Sequence, residues 1–290
     1  MNFLTTHLLA SVPAMRVIFD YLASSPQPAT TDKIRADLKA LDADADRPAS
    51  NQSDVVTASL RIGRYLDLFT SDPATRPERW SIAPEATDVK SADAAQFSGA
   101  VLRQLCMRAH EAASTGQEVP DLALALTWFL DQDPAKALDW DWNDRPENEF
   151  GHYRVKTLII NANQWRAFRR WTLALGLAVR LKGKAREALA ADPSVAIAHV
   201  LYLLDDGPAE RWFDRLFEVL PVLGREQLRQ PLPYRNEHGG VSPAVALAVR
   251  KLALRKFIET TPMDDSPQTV TLRVAGASWT IGAVRTLEKA

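Results

Sequence analysis

The sequence predicts a mainly α-helical fold with small β-hairpins, because one pattern occurs near both ends of the chain. Each copy is an amphipathic helix with an N-terminal capping serine, followed by two short strands that a turn-rich loop separates. The first copy covers residues 53–84 and the second covers residues 242–282. A helix followed by a hairpin is how a winged helix-turn-helix ends, and internal repeats indicate the architecture of a whole chain. The sequence therefore predicts tandem winged helix-turn-helix domains.

The first copy predicts a helix that begins at the N-cap Ser53 and ends near Leu66. One apolar stripe should face the core, and it consists of Val55, Ala58, Ile62 and Leu66. The opposite face presents Thr57, Arg61 and Arg64. We expect Leu60 on the exposed face between the two arginines, and Gly63 leaves part of that face without side chains. Such a face suits holding DNA through phosphates better than reading bases. Residues 67–70 and 79–82 are the two predicted strands.

Each copy follows a similar lead of helical segments, which predicts the domain boundaries. Helices over residues 13–24 and 31–41 precede the first copy, and a helical segment over residues 196–204 precedes the second. We predict an N-terminal winged helix over residues 1–90, a middle helical domain over 91–190 and a C-terminal winged helix over 191–290. Residues 171–177 loosely match the helix-to-strand junctions of the outer copies, so the middle domain could be a degenerate third winged helix.

The middle domain contains three unusual segments. Residues 122–130, LALALTWFL, are too apolar for a surface helix and should lie at its centre. Residues 139–149 combine five acidic residues with two tryptophans. These tryptophans either fill a gap in the core or belong to an acidic aromatic patch that docks a basic partner. The third segment, residues 161–186, is basic.

The basic segment has seven cationic side chains and no acidic one. One interpretation is a surface that contacts phosphates, because cations with interleaved aromatics suit nucleic-acid binding. The other is a solvated helix face over buried Trp165, Phe168 and Trp171. Together with the three polar residues of the first copy, the predicted DNA-binding set is Thr57, Arg61, Arg64, Arg166, Arg169, Arg170, Arg180, Lys182, Lys184 and Arg186.

The C-terminal helix differs from the first one because it has two apolar stripes. One comprises Val245, Ala248, Val249 and Leu252, and the other comprises Leu247, Leu254 and Ile258. A helix that is apolar on both sides is usually buried on both, so this unit should contact a neighbouring domain or subunit. For the C-terminal copy we favour an interaction role over base readout.

Composition narrows the class of protein. The chain has 290 residues, and 35 basic against 36 acidic residues give a net charge of −1, so any DNA binding must come from local patches. The single cysteine, Cys106, excludes an intrachain disulfide and a cysteine-built zinc site, and suits a reducing cytoplasm. No signal peptide or membrane-spanning run is evident, so we expect a soluble cytoplasmic protein without membrane contact. The five histidines lack metal-ligand spacing, and no phosphate-cradling loop is present. We therefore predict no catalytic residues, no metal and no cofactor, and not an enzyme.

The layout of the whole chain resembles one family. The lead MNFLTTHLLASVPAMRVIFDYLA, the repeated helix and hairpin pattern and the segment LALALTWFL are similar to the DpdG-type proteins of bacterial DNA 7-deazaguanine modification clusters. The resemblance extends over nearly the full chain. It implies an accessory protein encoded beside enzymes that modify or restrict DNA, with a role in antiviral defence. It implies no catalytic residues.

Three functional hypotheses follow. The first is a sequence-tolerant module that holds double-stranded DNA for partner enzymes, using Arg61, Arg64 and the basic segment. The second is a scaffold whose winged-helix faces contact other proteins of the same system; the near-neutral charge and the double-sided C-terminal helix favour it. The third is a transcriptional repressor, which would be a symmetric dimer of this chain.

Overall fold

The computed structural model describes residues 1–41, 54–72, 74–152, 158–183, 186–232, 240–262 and 269–287. Helices dominate, and the described strands form four small antiparallel sheets. This architecture confirms the prediction of a mainly α-helical protein with small β-hairpins. Within the described ranges, no helix has both the length and the apolar character needed to cross a membrane.

The first part of the chain contains three helices and one sheet. Its elements are α1 Val12–Ser24, β1 Ala29–Thr30, α2 Thr31–Asp37, α3 Val55–Tyr65, β2 Phe69–Asp72 and β3 Arg79–Ile82. The N-cap of α1 is Ser11, whose side chain accepts from the Ala14 N–H, and Thr30 caps α2. Strands β2 and β3 form the predicted hairpin, and β1 pairs with the far side of β3.

The middle part begins with a long helix and repeats this layout. Its elements are α4 Ala94–Thr115, α5 Asp121–Leu130, β4 Leu138–Asp139, α6 Asp144–His152, α7 Ala162–Ala174, β5 Ala178–Lys182 and β6 Glu187–Ala191. Strands β5 and β6 form a hairpin, and β4 pairs with β6. Helix α5 is buried along nearly its whole length, which confirms the prediction from its continuous apolar run.

The last part has the same order with two additions, a short helix before the last helix and an inserted hairpin. Its elements are α8 Ser194–Ala198, β7 Gly207–Pro208, α9 Ala209–Val219, α10 Glu226–Arg229, α11 Pro243–Leu254, β8 Ile258–Thr261, β9 Val270–Val274, β10 Ala277–Ile281 and β11 Ala283–Thr286. Strand β11 pairs with both β8 and β7, and the inserted β9 and β10 form a separate hairpin. The predicted cap Ser242 is confirmed, because its hydroxyl accepts from the Val245 N–H.

The chain thus has three helix–hairpin units: the first unit is α3, β2 and β3, the middle unit is α7, β5 and β6, and the last unit is α11, β8 and β11. Each helix ends in a Schellman motif, in which the second residue after the helix has a positive φ. These residues are Asp67 at 53°, Gly176 at 71° and Lys256 at 61°. The next N–H then bonds back over five residues, for example from Leu68 to the Gly63 carbonyl at 2.8 Å. The three units therefore share one helix-to-strand junction.

The structure corrects several details of the first unit. The predicted cap Ser53 lies outside the described residues, and the N-cap of α3 is Asp54. The first strand begins at Phe69 instead of residue 67, because Asp67 forms the left-handed junction. Leu60 is fully buried, so the expectation that it lies on the exposed face is wrong. Gly63 is also buried, because the ring of Phe69 occupies the space where a side chain would lie.

The two-stripe prediction for α11 is also wrong in part. Leu254 is 74% exposed, and Ile258 belongs to β8 and not to the helix. The stripe containing Val249 and Leu252 is buried as predicted.

Residues 1–10 lie between the first and middle units and connect them. The Phe3 ring makes edge contacts with Tyr65 beside α3 at 6.0 Å and with Trp171 of α7 at 5.4 Å. The Phe3 and Leu4 N–H groups both donate to the Asp121 carboxylate, at 2.7 and 2.9 Å. Burial raises the pKa of Asp121, while these N–H donors oppose the shift. The chain start is therefore fixed against both units.

Candidate nucleic-acid interface

Arg61 is the most accessible of the predicted residues on α3. Its side chain is exposed, and it has no ion pair with any carboxylate in the described ranges. Its position in α3 follows from the burial of the neighbouring Leu60 and Ile62, which fixes the orientation of the helix. An unpaired guanidinium on a rigid helix retains all five N–H donors for an external partner.

Arg64 and Thr57 lie on the same side of α3 but have internal partners. The Arg64 guanidinium donates to Ser71 at 3.1 Å and to Glu78 at 3.0 Å, and lies 5.5 Å from the Trp80 ring centroid. It therefore connects α3 to its own hairpin. The Thr57 hydroxyl bonds to the carboxylate of Asp54 at 3.1 Å and belongs to the cap of the helix. Only part of each polar group is available to a ligand.

Arg170 occupies the equivalent position in α7. Arg61 and Arg170 are each the fourth residue before the last residue of their helices, and both side chains are exposed. One N–H group of Arg170 donates to the carbonyl oxygen of Leu8. The remaining guanidinium donors of Arg170 are free of any bond to the described residues.

The N-terminal segment brings these two arginines to neighbouring residues. Arg170 bonds to Leu8, and Arg61 is close enough to His7 for its charge to act on the imidazole. Burial, the charge of Arg61 and the N-terminal ammonium group all lower the pKa of His7, in that order. Two cations from two different helix–hairpin units therefore interact with neighbouring residues of the N-terminal segment, one by a hydrogen bond to Leu8 and the other by its charge on His7.

Three cations of the basic segment, Arg169, Arg180 and Arg186, are instead paired with carboxylates of the same chain. The Trp140 ring lies between two guanidinium groups, each 4.1 Å from its centroid, which belong to Arg169 and Arg180. Arg169 also donates to the Trp140 carbonyl, and Arg180 also pairs with Glu187. Burial lowers the pKa of Arg169, although the charge of Asp141 opposes this shift.

The remaining cations of the segment are distributed unevenly. Arg186 pairs with Asp139 at 3.2 Å, and Arg166 bonds to Asn163 at 3.3 Å. Lys182 is exposed at the end of β5, and Lys184 lies outside the described residues. Residues 139–149, the acidic aromatic segment, thus contact the basic segment of the same chain. A packed tryptophan is an element of the first interpretation, and contact with basic groups is an element of the second.

The last unit presents its helix differently. Arg250 of α11 has the same helical position as Arg61 and Arg170, but it lies 5.4 Å from the Trp279 ring of the inserted hairpin. Strand β9 packs on α11 and places Leu272 in the core. Lys251 pairs with the buried Asp192. The helix of the last unit is therefore largely covered by its own insertion.

The sequence patterns missed two features of this surface. One is the N-terminal segment, residues 1–10. Its apolar sequence indicated only a segment that precedes the first helix, and not a connection between units. The other is the pair Arg76 and Arg79 in the first hairpin, both exposed, of which Arg79 lies 3.5 Å from the Pro28 carbonyl. The spacing of arginines along the predicted loop, TRPER, was the available signal.

A metal-binding cluster is not evident in the described part of the chain. No three side chains of the metal-ligating types converge there. Burial raises the pKa of Cys106 to about 12, so its thiol stays protonated and unreactive at neutral pH.

Comparison with known proteins supplies one finding. The family model described as DpdG-like matches residues 1–266 of this chain. No curated protein and no solved structure matches this chain. The match covers all of the first and middle units and the start of the last one.

Proposed function

Because the chain belongs to the DpdG-like family, we propose that it is a non-enzymatic accessory protein of a DNA modification and antiviral defence system that holds duplex DNA. We further propose that its helix–hairpin units are winged helix-turn-helix domains, within the boundaries 1–90, 91–190 and 191–290. The order of helix, strand, helix, helix and hairpin in each part supports this assignment. Its partners would be double-stranded DNA and the other proteins of the system in the cytoplasm.

The observation that carries the proposal is the paired placement of Arg61 and Arg170 beside residues 7–8. Neither guanidinium forms an ion pair within the described ranges, so each can bind an anion without first breaking an internal ion pair. Both are attached to helices whose other faces are buried, so each side chain is presented on the outer face of a packed helix. Phosphate groups of a duplex are fixed anions at regular spacing, and two exposed cations suit such a target.

The same geometry favours holding DNA over reading its sequence. Arg64, the second arginine of α3, is occupied by Glu78 and Ser71. Base readout requires several free side chains on one helix face, with bidentate bonds to base edges. With a net charge of −1, the chain should bind DNA through a local contact of few phosphates. We therefore expect affinity that depends on salt and varies little with sequence.

The test uses three arginines at one helical position in three units. Arg61→Ala and Arg170→Ala should each weaken binding to any duplex about three- to tenfold and lower the salt slope by about one. Arg250→Ala is the matched control, because its side chain lies over Trp279, and it should leave affinity unchanged. Fluorescence anisotropy with two unrelated duplexes over a salt series measures these effects. Equal affinity of the wild type and the Arg61→Ala/Arg170→Ala double variant would refute the proposal.

A protein-scaffold role is the second candidate, and the covered α11 supports it for the last unit. Leu254, at the end of α11, is 74% exposed, whereas Leu252 of the same helix is buried. An exposed leucine beside a covered helix suits contact with another protein of the system or a second copy of the chain. Leu254→Asp should abolish such an association in size-exclusion chromatography while leaving duplex affinity unchanged.

A further inference from the structure

A groove separate from the arginine surface lies where three segments meet. It is bordered by residues 85–90, by one face of α4 and by the turn at residues 199–202, and its volume is about 680 Å³. Ligand sites for small molecules commonly have volumes of about 300–1,000 Å³. Gly99 and Ala100 of α4 form part of its wall, and their small side chains leave it open. The groove is therefore large enough for a mononucleotide.

One wall of the groove presents an exposed aromatic ring in a fixed orientation. Tyr202 is 70% exposed, and its hydroxyl accepts a hydrogen bond from Arg103 at 2.7 Å. Met107, which is 59% exposed, lines the same groove. An exposed tyrosine normally rotates freely in solvent, whereas this bond restricts the ring. A restricted aromatic face beside a thioether is suited to stack a planar base.

The charged groups of the groove complement the other parts of a nucleotide. Lys90 and Arg103 supply two cations, and Arg103 uses only one of its donors on Tyr202 in the described structure. Such cations bind phosphate oxygens. Glu85 and Asp88 supply carboxylates that accept hydrogen bonds from sugar hydroxyls or base amino groups. A simple anion would contact only the two cations, and a simple aromatic compound would contact only the Tyr202 ring. A nucleotide has groups that can contact both.

We infer that this groove binds a nucleoside phosphate, with the base on Tyr202 and the phosphate near Lys90 and Arg103. The nucleotide could be a free mononucleotide or one unstacked nucleotide of a single strand, since both have the same chemistry. This site is independent of duplex holding, because Arg61 and Arg170 do not line the groove. A ligand there would contact the end of the first part, α4 and the start of the last part together.

The experiment titrates the full-length protein with AMP, GMP and inorganic phosphate by calorimetry, and with a short single-stranded oligonucleotide by anisotropy. We expect saturable binding of a mononucleotide or the oligonucleotide, and at least about tenfold weaker binding of inorganic phosphate, because phosphate cannot stack. Tyr202→Ala should weaken nucleotide binding about tenfold. Tyr202→Phe should retain most of the affinity, since the ring remains.

A second pair of variants tests the contribution of charge. Arg103→Ala removes a cation of the groove, and Arg211→Ala is the control, because Arg211 is an exposed arginine on α9 outside the groove. Arg103→Ala should weaken nucleotide binding, and Arg211→Ala should leave it unchanged. Thermal melting shows whether each variant is folded. Binding of the oligonucleotide alone would identify a strand as the source, and binding of mononucleotides would identify a free ligand. Absence of both, or nucleotide binding that Tyr202→Ala and Arg103→Ala leave unchanged in folded protein, would overturn the inference.

Discussion

Arg61 in α3 and Arg250 in α11 have the same helical position but different neighbours. Both side chains are exposed and neither has a carboxylate partner in the described ranges, but Arg250 lies over the Trp279 ring. The difference arises from the hairpin β9–β10, which is inserted between the two hairpin strands of the last unit and packs on α11. The insertion therefore gives Arg250 an internal aromatic contact that Arg61 lacks.

The residue preceding each of Arg61, Arg170 and Arg250 is, in contrast, largely shielded from solvent in all three units. These residues are the buried Leu60 in α3, the nearly buried Arg169 in α7 and the buried Val249 in α11. Leu60 and Val249 fill apolar space, while the guanidinium of Arg169 is only 12% exposed and lies against Trp140. The three helices therefore have the same orientation relative to their cores.

The largest expected effect tests this common orientation. Leu60→Ala should lower the free energy of unfolding by about 2–5 kcal/mol, because it leaves a cavity in a fully packed site. Leu254→Ala is the control, because it is the same substitution at an exposed position. It should change the free energy of unfolding by no more than about 0.5 kcal/mol. Urea denaturation measures both. A small effect at Leu60 would mean that α3 has its other face toward the core.

The next effect concerns the packing of the first hairpin on α3. A Cβ atom at Gly63 would lie 2.2 Å from the Phe69 ring, so Gly63→Ala should cost about 1–3 kcal/mol through overpacking. The equivalent positions in α7 and α11 are Thr172 and Leu252, which have room for side chains. Gly99→Ala in α4 is the control, since its Cβ would make only ordinary contact, 3.6 Å from His199, and alanine favours a helix. If Gly63→Ala is as stable as the wild type, Phe69 does not restrict this position.

A smaller effect separates the two arginines directly. Arg250→Ala should lower the free energy of unfolding by about 1 kcal/mol, because it removes the contact with Trp279. Arg61→Ala should change stability by less than about 0.5 kcal/mol, because it removes no internal ion pair of the described chain. Thermal melting of both variants at one pH provides the comparison. Equal losses would show that Arg61 also has a structural role.

Local sequence patterns predicted much of the fold. The repeated pattern predicted the helix and hairpin of the first unit and the capped helix of the last unit, and the strand at residues 79–82 was predicted at its observed position. The second hairpin strand of the last unit, β11, lies beyond the predicted copy, which ended at residue 282. The continuous apolar run at residues 122–130 indicated a buried helix, because such a run has no polar face for solvent. The family resemblance was also confirmed. These features depend on residues that are neighbours in sequence.

Long-range packing could not be predicted in the same way. Helical spacing placed Leu60 beside the arginines, but the neighbouring elements that bury it are distant in sequence. Nothing local to residues 161–186 indicates that Trp140 and Asp139 occupy its cations. The connection of residues 1–10 to α3 and α7 likewise depends on contacts between residues distant in sequence, such as those of Phe3 with Tyr65 and Trp171. Whether Arg61 and Arg170 bind DNA remains a prediction.

The smallest effect concerns the caps of the two helices, because α3 has a titratable cap and α11 does not. Asp54 accepts from the Thr57 N–H at 2.6 Å and pairs with Arg35, whereas Ser242 accepts from Val245 and donates to the Leu130 carbonyl at 2.8 Å. Burial opposes ionisation of Asp54, but the Thr57 N–H and Arg35 outweigh it, so the pKa of Asp54 is lowered.

A carboxylate whose pKa is lower in the folded state stabilises the protein above its unfolded pKa, which is about 3.9 for aspartate. This stabilisation decreases as the pH falls through the folded pKa of Asp54. Asp54→Asn keeps an acceptor for the Thr57 N–H and loses only the charge, so it should cost about 0.5 kcal/mol at pH 7. The difference from the wild type should then shrink below about pH 4, while the cost of Ser242→Ala stays constant with pH. Urea denaturation of the three proteins from neutral to acidic pH tests this, and a cost of Asp54→Asn that does not vary with pH would mean that the charge of Asp54 does not stabilise α3.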